Sequence, residues 1–144
     1  AAYHQYHQAL ADLTRAALTA YGRALIVDCH SFPSAPRTYE PSQAAERPDI
    51  CIGTDPYHTP PALGHLLEQN FRVLGYSVGI NDPFAGSIVP MEFYQKDRRV
   101  VSVMIEVNRK LYMNEATFER SEDFVKVGKA ISRCVIKSLN QFAL

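Results

Sequence analysis

The chain has 144 residues, 47% of them hydrophobic, and its 15 lysines and arginines match its 15 aspartates and glutamates. This length is typical of one domain of about 100–200 residues, and the hydrophobic fraction argues against wholesale disorder. Without a surplus of positive charge the protein does not fit a general nucleic-acid binder, which neutralises phosphates with lysine and arginine. No run reaches the ~18 apolar residues of a membrane span, so no membrane partner is expected.

Hydrophobic periodicity predicts a helix at the start of the chain and short strands after it. Apolar and aromatic residues recur at three- and four-residue spacing over residues 3–21, and Gly22 is a natural end for that helix. Three apolar runs are too short for helices and predict buried strands: 24–27, 50–52 and 76–80. Residues 32–48 contain four prolines and therefore predict a long loop.

The second half of the chain predicts two further helices and a strong strand. A helix over residues 61–74 begins with proline, and residues 100–107 form the strongest apolar run, which could pair with residues 88–95 as a hairpin. Ser121 is a good N-cap for a last helix that extends to Phe142. Continuous apolar strands separated by helices are typical of an α/β fold, so we predict a mostly parallel or mixed central sheet flanked by helices.

Polar side chains follow each of the predicted strands. They lie in the segments 28–31, 54–58, 81–83 and 106–109. Because ligands of open α/β sheets bind beyond the carboxyl ends of the strands, we expect these segments to meet at one edge of the sheet. Turn formation alone would account for Asp, Asn, Gly and Pro, but not for His30, Glu106 and Arg109. The pattern therefore favours an active site or a binding site.

Two of these residues suggest specific chemistry, each with an alternative. His30 could be a core histidine with satisfied hydrogen bonds, or a metal ligand whose imidazole is oriented by Asp28 on the same face of the strand. Glu106 interrupts an apolar strand, and a buried carboxylate must be paired, protonated or functional. It could pair with Arg109, or act as a general base beside a metal-bound water.

The other candidates are weaker. His4 and His7 lie three residues apart on one helix face and could share a metal, although that spacing is common by chance. His58 follows the second strand and could contact substrate or solvent. The three cysteines, an odd number, indicate reduced thiols and a cytoplasmic location. No phosphate-binding glycine loop, Gly-x-Ser-x-Gly elbow or Cys-x-x-Cys pair is present in the sequence.

Five segments, in order, resemble the N-formylglutamate amidohydrolase family, whose fold is similar to that of zinc carboxypeptidases. They are YHQYH at 3–7, LIVDCHSFPS at 25–34, PDICIGT at 48–54, NDPFAG at 81–86 and MIEVNRKLYM at 104–113. The first lacks a proline that the family's version contains. The resemblance implies hydrolysis of the amide bond of N-formyl-L-glutamate to formate and glutamate, a step of histidine degradation.

The resemblance also implies a role for each candidate residue. His30 would bind Zn²⁺ through a neutral imidazole, with Asp28 and Ser31 supporting it. Glu106 would take a proton from the zinc-bound water and pass it to the leaving amine. Arg109 would bind a carboxylate of the small acidic substrate, because guanidinium offers bidentate geometry. Further substrate contacts are expected from Asn81, Asn108, Tyr112 and Arg37.

Members of the family are nearly twice as long, and their other zinc ligands, a His and an acidic residue, lie in a segment that would precede residue 1. We therefore expect residues 1–144 to be a single domain, the C-terminal portion of a catalytic domain that needs a preceding segment or a companion chain to hold zinc. Two alternatives stay open. One is a non-catalytic fragment or degenerate homologue that binds a small acidic ligand or a partner chain. The other is a related zinc amidase or carboxypeptidase with another substrate.

Overall fold

We describe the protein from a computed structural model, for residues 2–40 and 42–142. In this part of the chain three helices flank a four-stranded sheet. The helices are α1 (Ala2–Tyr21), α2 (Pro61–Val73) and α3 (Phe124–Phe142), and a short 3-10 helix covers Arg109–Leu111. The strands are β1 (Ala24–Phe32), β2 (Ile50–Gly53), β3 (Val78–Ile80) and β4 (Val100–Asn108). Within these ranges no helix is long and apolar enough to cross a membrane.

The sheet is mixed and has the strand order β1-β4-β2-β3. β1 and β4 are parallel, and so are β2 and β3, and the two pairs are joined by antiparallel pairing of β2 with β4. The predicted α/β class, with a mixed central sheet flanked by helices, is confirmed.

Antiparallel pairing in the middle of the sheet separates the strand ends. β1 and β4 end at one edge, whereas β2 and β3 run in the opposite direction and end at the other. Thr54 and Asn81, which follow β2 and β3, bind each other there, with Asn81 Nδ2 2.8 Å from Thr54 Oγ1. The expectation that all four polar segments meet at one edge is therefore wrong, because it assumes that the strands all run the same way.

β1 continues well beyond its apolar run and includes residues 28–32, which the sequence pattern places after the strand. The reason is tertiary, because β1 is in register with β4 along its whole length, from Ala24 opposite Val100 to Phe32 opposite Asn108. The ladder satisfies the backbone of polar residues that have little strand propensity of their own. The predicted site residues of this segment therefore project from a strand and not from a loop.

Two expectations for the second half of the chain are wrong. Residues 88–95 form no strand, because β4 already has β1 and β2 as neighbours and offers no free edge for a hairpin. The last helix begins at Phe124, later than the predicted N-cap Ser121. The hydroxyl oxygen of Ser121 is buried and makes no hydrogen bond within the described ranges, so it does not cap the helix.

The two faces of the sheet differ in what covers them. The main apolar core joins alternate residues of β4 to both α2 and α3: Val101, Val103, Ile105, Val107, Leu63, Leu67, Phe71 and Cys134. The side chains between them on β4, including Ser102, Met104 and Glu106, point to the opposite face because successive residues of a strand alternate. That second face carries the polar residues of interest.

Residues 81–88 cross the second face in close contact with β2 and β3. Gly53 and Gly79 lie directly beneath the carbonyl oxygens of Gly86 and Asp82, so a Cβ atom at either glycine would collide with backbone. This close approach needs the absence of a side chain. The loop thereby forms a wall over the sheet beside β4.

Candidate active site

Three polar side chains of β1 and β4 come together on the second face of the sheet. His30 is the register partner of Glu106 on the adjacent parallel strand, and Asp28 lies two residues earlier on the same face of β1. The imidazole Nε2 of His30 is 2.9 Å from Oδ1 of Asp28. The His30 side chain is 50% exposed, whereas Glu106 is buried, at 7% exposure. A half-exposed imidazole thus stands beside a buried carboxylate.

Glu106 has no partner for its charge. Its Oε2 atom is buried and makes no hydrogen bond within residues 2–40 and 42–142. Arg109, the partner that a purely structural role would require, donates instead to Ser31. Its Nε lies 3.3 Å from the Ser31 hydroxyl oxygen and its Nη2 lies 3.2 Å from the Ser31 carbonyl oxygen. An ion pair between Glu106 and Arg109 is therefore not formed.

The surroundings of Glu106 favour its protonated form. Burial is the largest cause and raises the pKa of Glu106 above its ordinary value. The neighbouring His30 and Arg109 act in the opposite direction and lower the pKa of Glu106, while the carboxylates of Asp28 and Glu40 raise it further. A carboxyl group with a raised pKa near a half-open surface is suited to exchange protons with a reacting group.

Asp28 fixes the orientation of the His30 ring. Their hydrogen bond uses Nε2, which leaves Nδ1 as the nitrogen able to bind a ligand. A carboxylate behind an imidazole is the arrangement that orients metal-bound histidines. The expected contact between Asp28 and His30 is present, and His30 is not a histidine enclosed in the core.

Ser31, the register partner of Val107, points to the face of the sheet that α3 covers, opposite to the face that carries Glu106. Ser31, Tyr112 and His30 border a shallow cavity of about 230 Å³ that extends to α3. The Tyr112 ring packs edge-on against Phe124, with the ring centroids 5.9 Å apart. Arg37 is exposed on the loop between β1 and β2. The contacts of Tyr112 and Arg37 with a substrate stay predictions.

Two of the predicted substrate contacts are engaged within the chain. Asn108 is fully buried, donates from Nδ2 to the carbonyl oxygen of Pro48 at 3.0 Å and accepts from the backbone N–H of Lys110 at 3.2 Å. Asn81 binds Thr54 at the opposite edge of the sheet, so the structure does not bring it to the end of β4. Both amides stabilise loops in this conformation, and their contacts with a substrate stay predictions.

His58 is a core residue. It is 1% exposed, its Nδ1 lies 2.8 Å from the carbonyl oxygen of Val100, and its Nε2 accepts from the backbone N–H of Gln95 at 2.8 Å. Both ring nitrogens are therefore satisfied, as in a neutral imidazole with the proton on Nδ1. The expectation that His58 contacts substrate or solvent is wrong, because residues 94–95 cover the ring.

Sequence reasoning missed three charged residues near this site. Glu40 and Arg47 form an ion pair inside the loop between β1 and β2. Glu115 accepts from the backbone N–H of Ser34, with its two oxygens at 3.0 and 3.2 Å, and from the Ser34 hydroxyl. A proline-rich segment has no periodicity from which burial can be predicted, so no sequence signal identified these contacts.

The family model for N-formylglutamate amidohydrolase matches residues 1–113. The chain belongs to the N-formylglutamate amidohydrolase family. The matched range contains His30, Glu106 and Arg109, and the family resemblance indicated by the five sequence segments is confirmed. No curated protein matches the sequence.

Two solved structures are similar to this member of the N-formylglutamate amidohydrolase family. A crystal structure of N-formylglutamate amidohydrolase from Ralstonia eutropha JMP134 is 30% identical, with a TM-score of 0.78, and the match covers 94% of this chain and 50% of that one. A gene product of Agrobacterium tumefaciens is 21% identical, with a TM-score of 0.62, over 97% of this chain and 51% of its own, which is a likeness of fold. This chain thus spans about half the length of both.

A zinc site in this N-formylglutamate amidohydrolase family member needs more ligands than the described residues supply. Catalytic zinc takes three protein ligands and a water. In residues 2–40 and 42–142 no group of three or more His, Cys, Asp or Glu side chains is placed to hold a metal ion. His4 and His7 border a separate cavity of about 550 Å³ between α1 and residues 89–92, and no such group forms there. Nδ1 of His30 fits as one ligand of a larger set.

Proposed function

We propose that this chain contributes to the active site of a zinc-dependent amidohydrolase that converts N-formyl-L-glutamate to formate and glutamate. The observation that carries the proposal is the pairing, across β1 and β4, of an Asp28-oriented His30 with a buried and unpartnered Glu106. Family membership supplies the class of reaction. Since the chain spans about half the length of its solved relatives, the proposed activity is that of the intact enzyme.

Glu106 is the proposed proton carrier. Hydrolysis needs a base that takes a proton from the attacking water and an acid that returns a proton to the amide nitrogen as the C–N bond breaks. A buried carboxylate with a raised pKa and an unpartnered oxygen can perform both steps in turn. The formyl carbon then leaves as formate, and the nitrogen leaves as the free amine of glutamate.

His30 is the proposed metal ligand of this chain. The hydrogen bond to Asp28 occupies Nε2 and leaves Nδ1 for a ligand, so the ring is pre-oriented. Zn²⁺ held there, together with ligands from outside the described residues, would polarise the formyl carbonyl and acidify a water. His30, oriented by its hydrogen bond to Asp28, would thereby hold the metal ion beside Glu106.

Arg109 is the proposed receptor for a carboxylate of the substrate. Two of its nitrogens are held by Ser31, which fixes the plane of the guanidinium near the end of β1 and leaves Nη1 for a ligand. A guanidinium anchored on one side presents its remaining donors in a fixed direction. Tyr112 and Arg37 are the proposed further contacts, the first beside His30 and the second on the adjacent loop.

The replacement Glu106→Gln tests the proposal. Glutamine keeps the size of the side chain but does not accept the proton, so formate release from N-formyl-L-glutamate should fall about 10²–10⁴-fold with little change in KM. The same change at the exposed Glu46 is the matched control and should leave formate release intact. Full activity of the Glu106 variant would place the base elsewhere.

The choice of substrate tests the named activity separately. The intact enzyme should release formate from N-formyl-L-glutamate and work poorly on N-acetyl-L-glutamate and N-formyl-L-alanine. Turnover of another acyl amino acid alone would favour a related zinc hydrolase. Binding of glutamate without turnover of any amide would favour a non-catalytic homologue.

A further inference from the structure

The loop between β1 and β2 contains a buried arginine that neither the site residues nor the core account for. Arg47 is 7% exposed, and its guanidinium carbon lies 5.7 Å from the ring centroids of both Phe32 and Phe84. The two phenylalanine rings also contact each other, with centroids 5.5 Å apart. A cation in contact with two aromatic rings is held by their π faces as well as by its hydrogen bonds.

The hydrogen bonds of Arg47 connect residues that lie far apart within that loop. Its Nη1 donates to the carbonyl oxygen of Pro33 at 3.1 Å, and its Nη2 donates to the carboxylate of Glu40. Nη2 also lies 3.5 Å from the carbonyl oxygen of Ser42. The side chains of Arg47 and Glu40 are 1% and 7% exposed, so both charges are removed from water. One side chain thus holds both the start and the middle of the loop.

Phe32 and Phe84 connect Arg47 to β1 and to the loop 81–88, which both border the proposed site. Phe32 ends β1, two residues beyond His30 and on the same face of the strand. Phe84 belongs to the loop 81–88, and its carbonyl oxygen accepts from Cys51 Sγ at 3.3 Å. Cys51 is in turn the register partner of Glu106 on β2. Arg47 therefore lies where the loop 33–47 meets the loop 81–88.

Burying an ion pair in this space carries a desolvation penalty that an apolar side chain would not carry. Removing both charges from water costs free energy before their attraction is counted, and an apolar side chain of similar size is often as stable. An apolar side chain, however, cannot direct hydrogen bonds to the Pro33 carbonyl oxygen and the Glu40 carboxylate at once. The planar guanidinium of arginine can direct hydrogen bonds to both groups. Lysine has a single ammonium group and can form only some of these hydrogen bonds.

We propose that Arg47 is a positioning residue of the amide hydrolysis: it locks the loops 33–47 and 81–88 together beside the His30–Glu106 pair and so sets how tightly the acidic substrate is held. Arg47 does not touch the substrate. This inference rests on the proposed function for its substrate, whereas the locking of the two loops rests on the contacts alone.

Arg47→Lys in the intact enzyme tests this proposal, with Arg23→Lys as the matched control at an exposed residue. We expect KM for N-formyl-L-glutamate and the dissociation constant for glutamate to rise roughly tenfold in Arg47→Lys, with kcat within about twofold, because the reacting groups stay in place. Hydrogen–deuterium exchange should quicken in residues 33–47 and 81–88 and stay unchanged in α2. Arg23→Lys should change none of these quantities.

Glu40→Gln is the second variant, since it leaves the arginine in place and removes only the ion pair. It should quicken exchange in residues 33–47 more than in residues 81–88, where the contact of Arg47 with Phe84 persists. Three results for Arg47→Lys would each overturn the proposal. They are a fall of kcat as large as the rise of KM, faster hydrogen–deuterium exchange in α2 as well, and an unchanged affinity for glutamate. If the wild type binds glutamate but hydrolyses no formylglutamate, the proposed function fails. The affinity and exchange measurements then still decide the role of Arg47.

Discussion

His30 and Glu106 are register partners on parallel strands and lie side by side on one face of the sheet, one side chain half exposed and the other buried without a partner. Parallel pairing of β1 with β4 brings them together, since the residues are far apart in the sequence. Asp28 orients the first residue and burial raises the pKa of the second. In the proposed enzyme the pair would combine a directed nitrogen ligand with a proton acceptor on rigid elements, as metal-assisted hydrolysis requires.

Removal of the His30 imidazole should release zinc from the intact enzyme. We expect His30→Ala to bind only a small fraction of the zinc of the wild type, because a three-ligand site that loses one ligand is incomplete. Asp28→Asn should keep the ligand but weaken zinc binding by about 10–100-fold, because the ring loses its oriented acceptor. Metal analysis of the purified variants after dialysis measures both effects.

The control for zinc binding is His65→Ala, which removes an exposed imidazole of α2. Its zinc content should equal that of the wild type. Unchanged zinc content in His30→Ala would rule out ligation by His30, whatever the activity of the variant.

Neutralising Glu106 should stabilise the metal-free protein. Glu106→Gln replaces an unpaired buried charge by a neutral amide, which costs less to remove from water, so the free energy of unfolding at neutral pH should increase. Urea denaturation in the presence of a chelator measures it. Active-site residues often lower the stability of the folded protein, because their arrangement is suited to catalysis and not to packing.

Glu115→Gln is the matched comparison, because it makes the same change where the carboxylate has partners. Glu115 accepts from the backbone N–H and the hydroxyl of Ser34, so its neutralisation should lower the free energy of unfolding by about 1 kcal/mol. Loss of stability in both variants would show that Glu106 has a partner after all.

Asp49 should make the stability depend on pH in the acid range. Burial alone would raise the pKa of Asp49, but the hydrogen bonds from Ser77 and the ammonium of Lys110 outweigh it and hold the pKa below its ordinary value. A carboxylate of this kind stabilises the fold above its ordinary pKa. That stabilisation is lost as the pH falls through the lowered pKa of the folded state.

Asp49→Asn measures the contribution of this carboxylate. Because the side chain is partly exposed, solvent screens its ion pair, and we expect a loss of no more than about 1 kcal/mol at pH 7. The difference from the wild type should shrink as the pH falls below the ordinary pKa of aspartate and through the lowered pKa of the folded state. Urea denaturation at several pH values checks this, and a difference that is independent of pH would assign the effect to packing.

Gly53 should not tolerate a side chain. A Cβ atom there would collide with the carbonyl oxygen of Gly86 and with Met104, so Gly53→Ala must displace the loop 81–88 and should cost about 1–3 kcal/mol. Gly128→Ala in α3 is the control, since nothing lies within 4 Å of its Cβ position. It should stabilise the helix by up to about 1 kcal/mol. Thermal unfolding distinguishes the two, and similar melting temperatures would contradict the close approach of the loop.

Much of the candidate site follows from short stretches of sequence. His30 and Glu106 were identifiable because each interrupts or ends an apolar run, and a polar residue at such a position needs a reason. The roles of Asn81 and Asn108 were not predictable in the same way. An amide can serve a substrate or a backbone carbonyl equally well, and only its surroundings determine which.

The amino-acid sequence by itself determined the α/β class, the positions of α1 and α2, the family, and the candidacy of His30 and Glu106, because periodicity and motif order are properties of neighbouring residues. Only the tertiary structure decided that β2 runs antiparallel to β4, that β1 extends to Phe32, and that Arg47 is buried against Glu40. Strand direction and the pairing of buried charges depend on contacts between residues distant in the chain. The free energy that each such contact contributes depends on the residues packed around it, and these are not known from the local sequence.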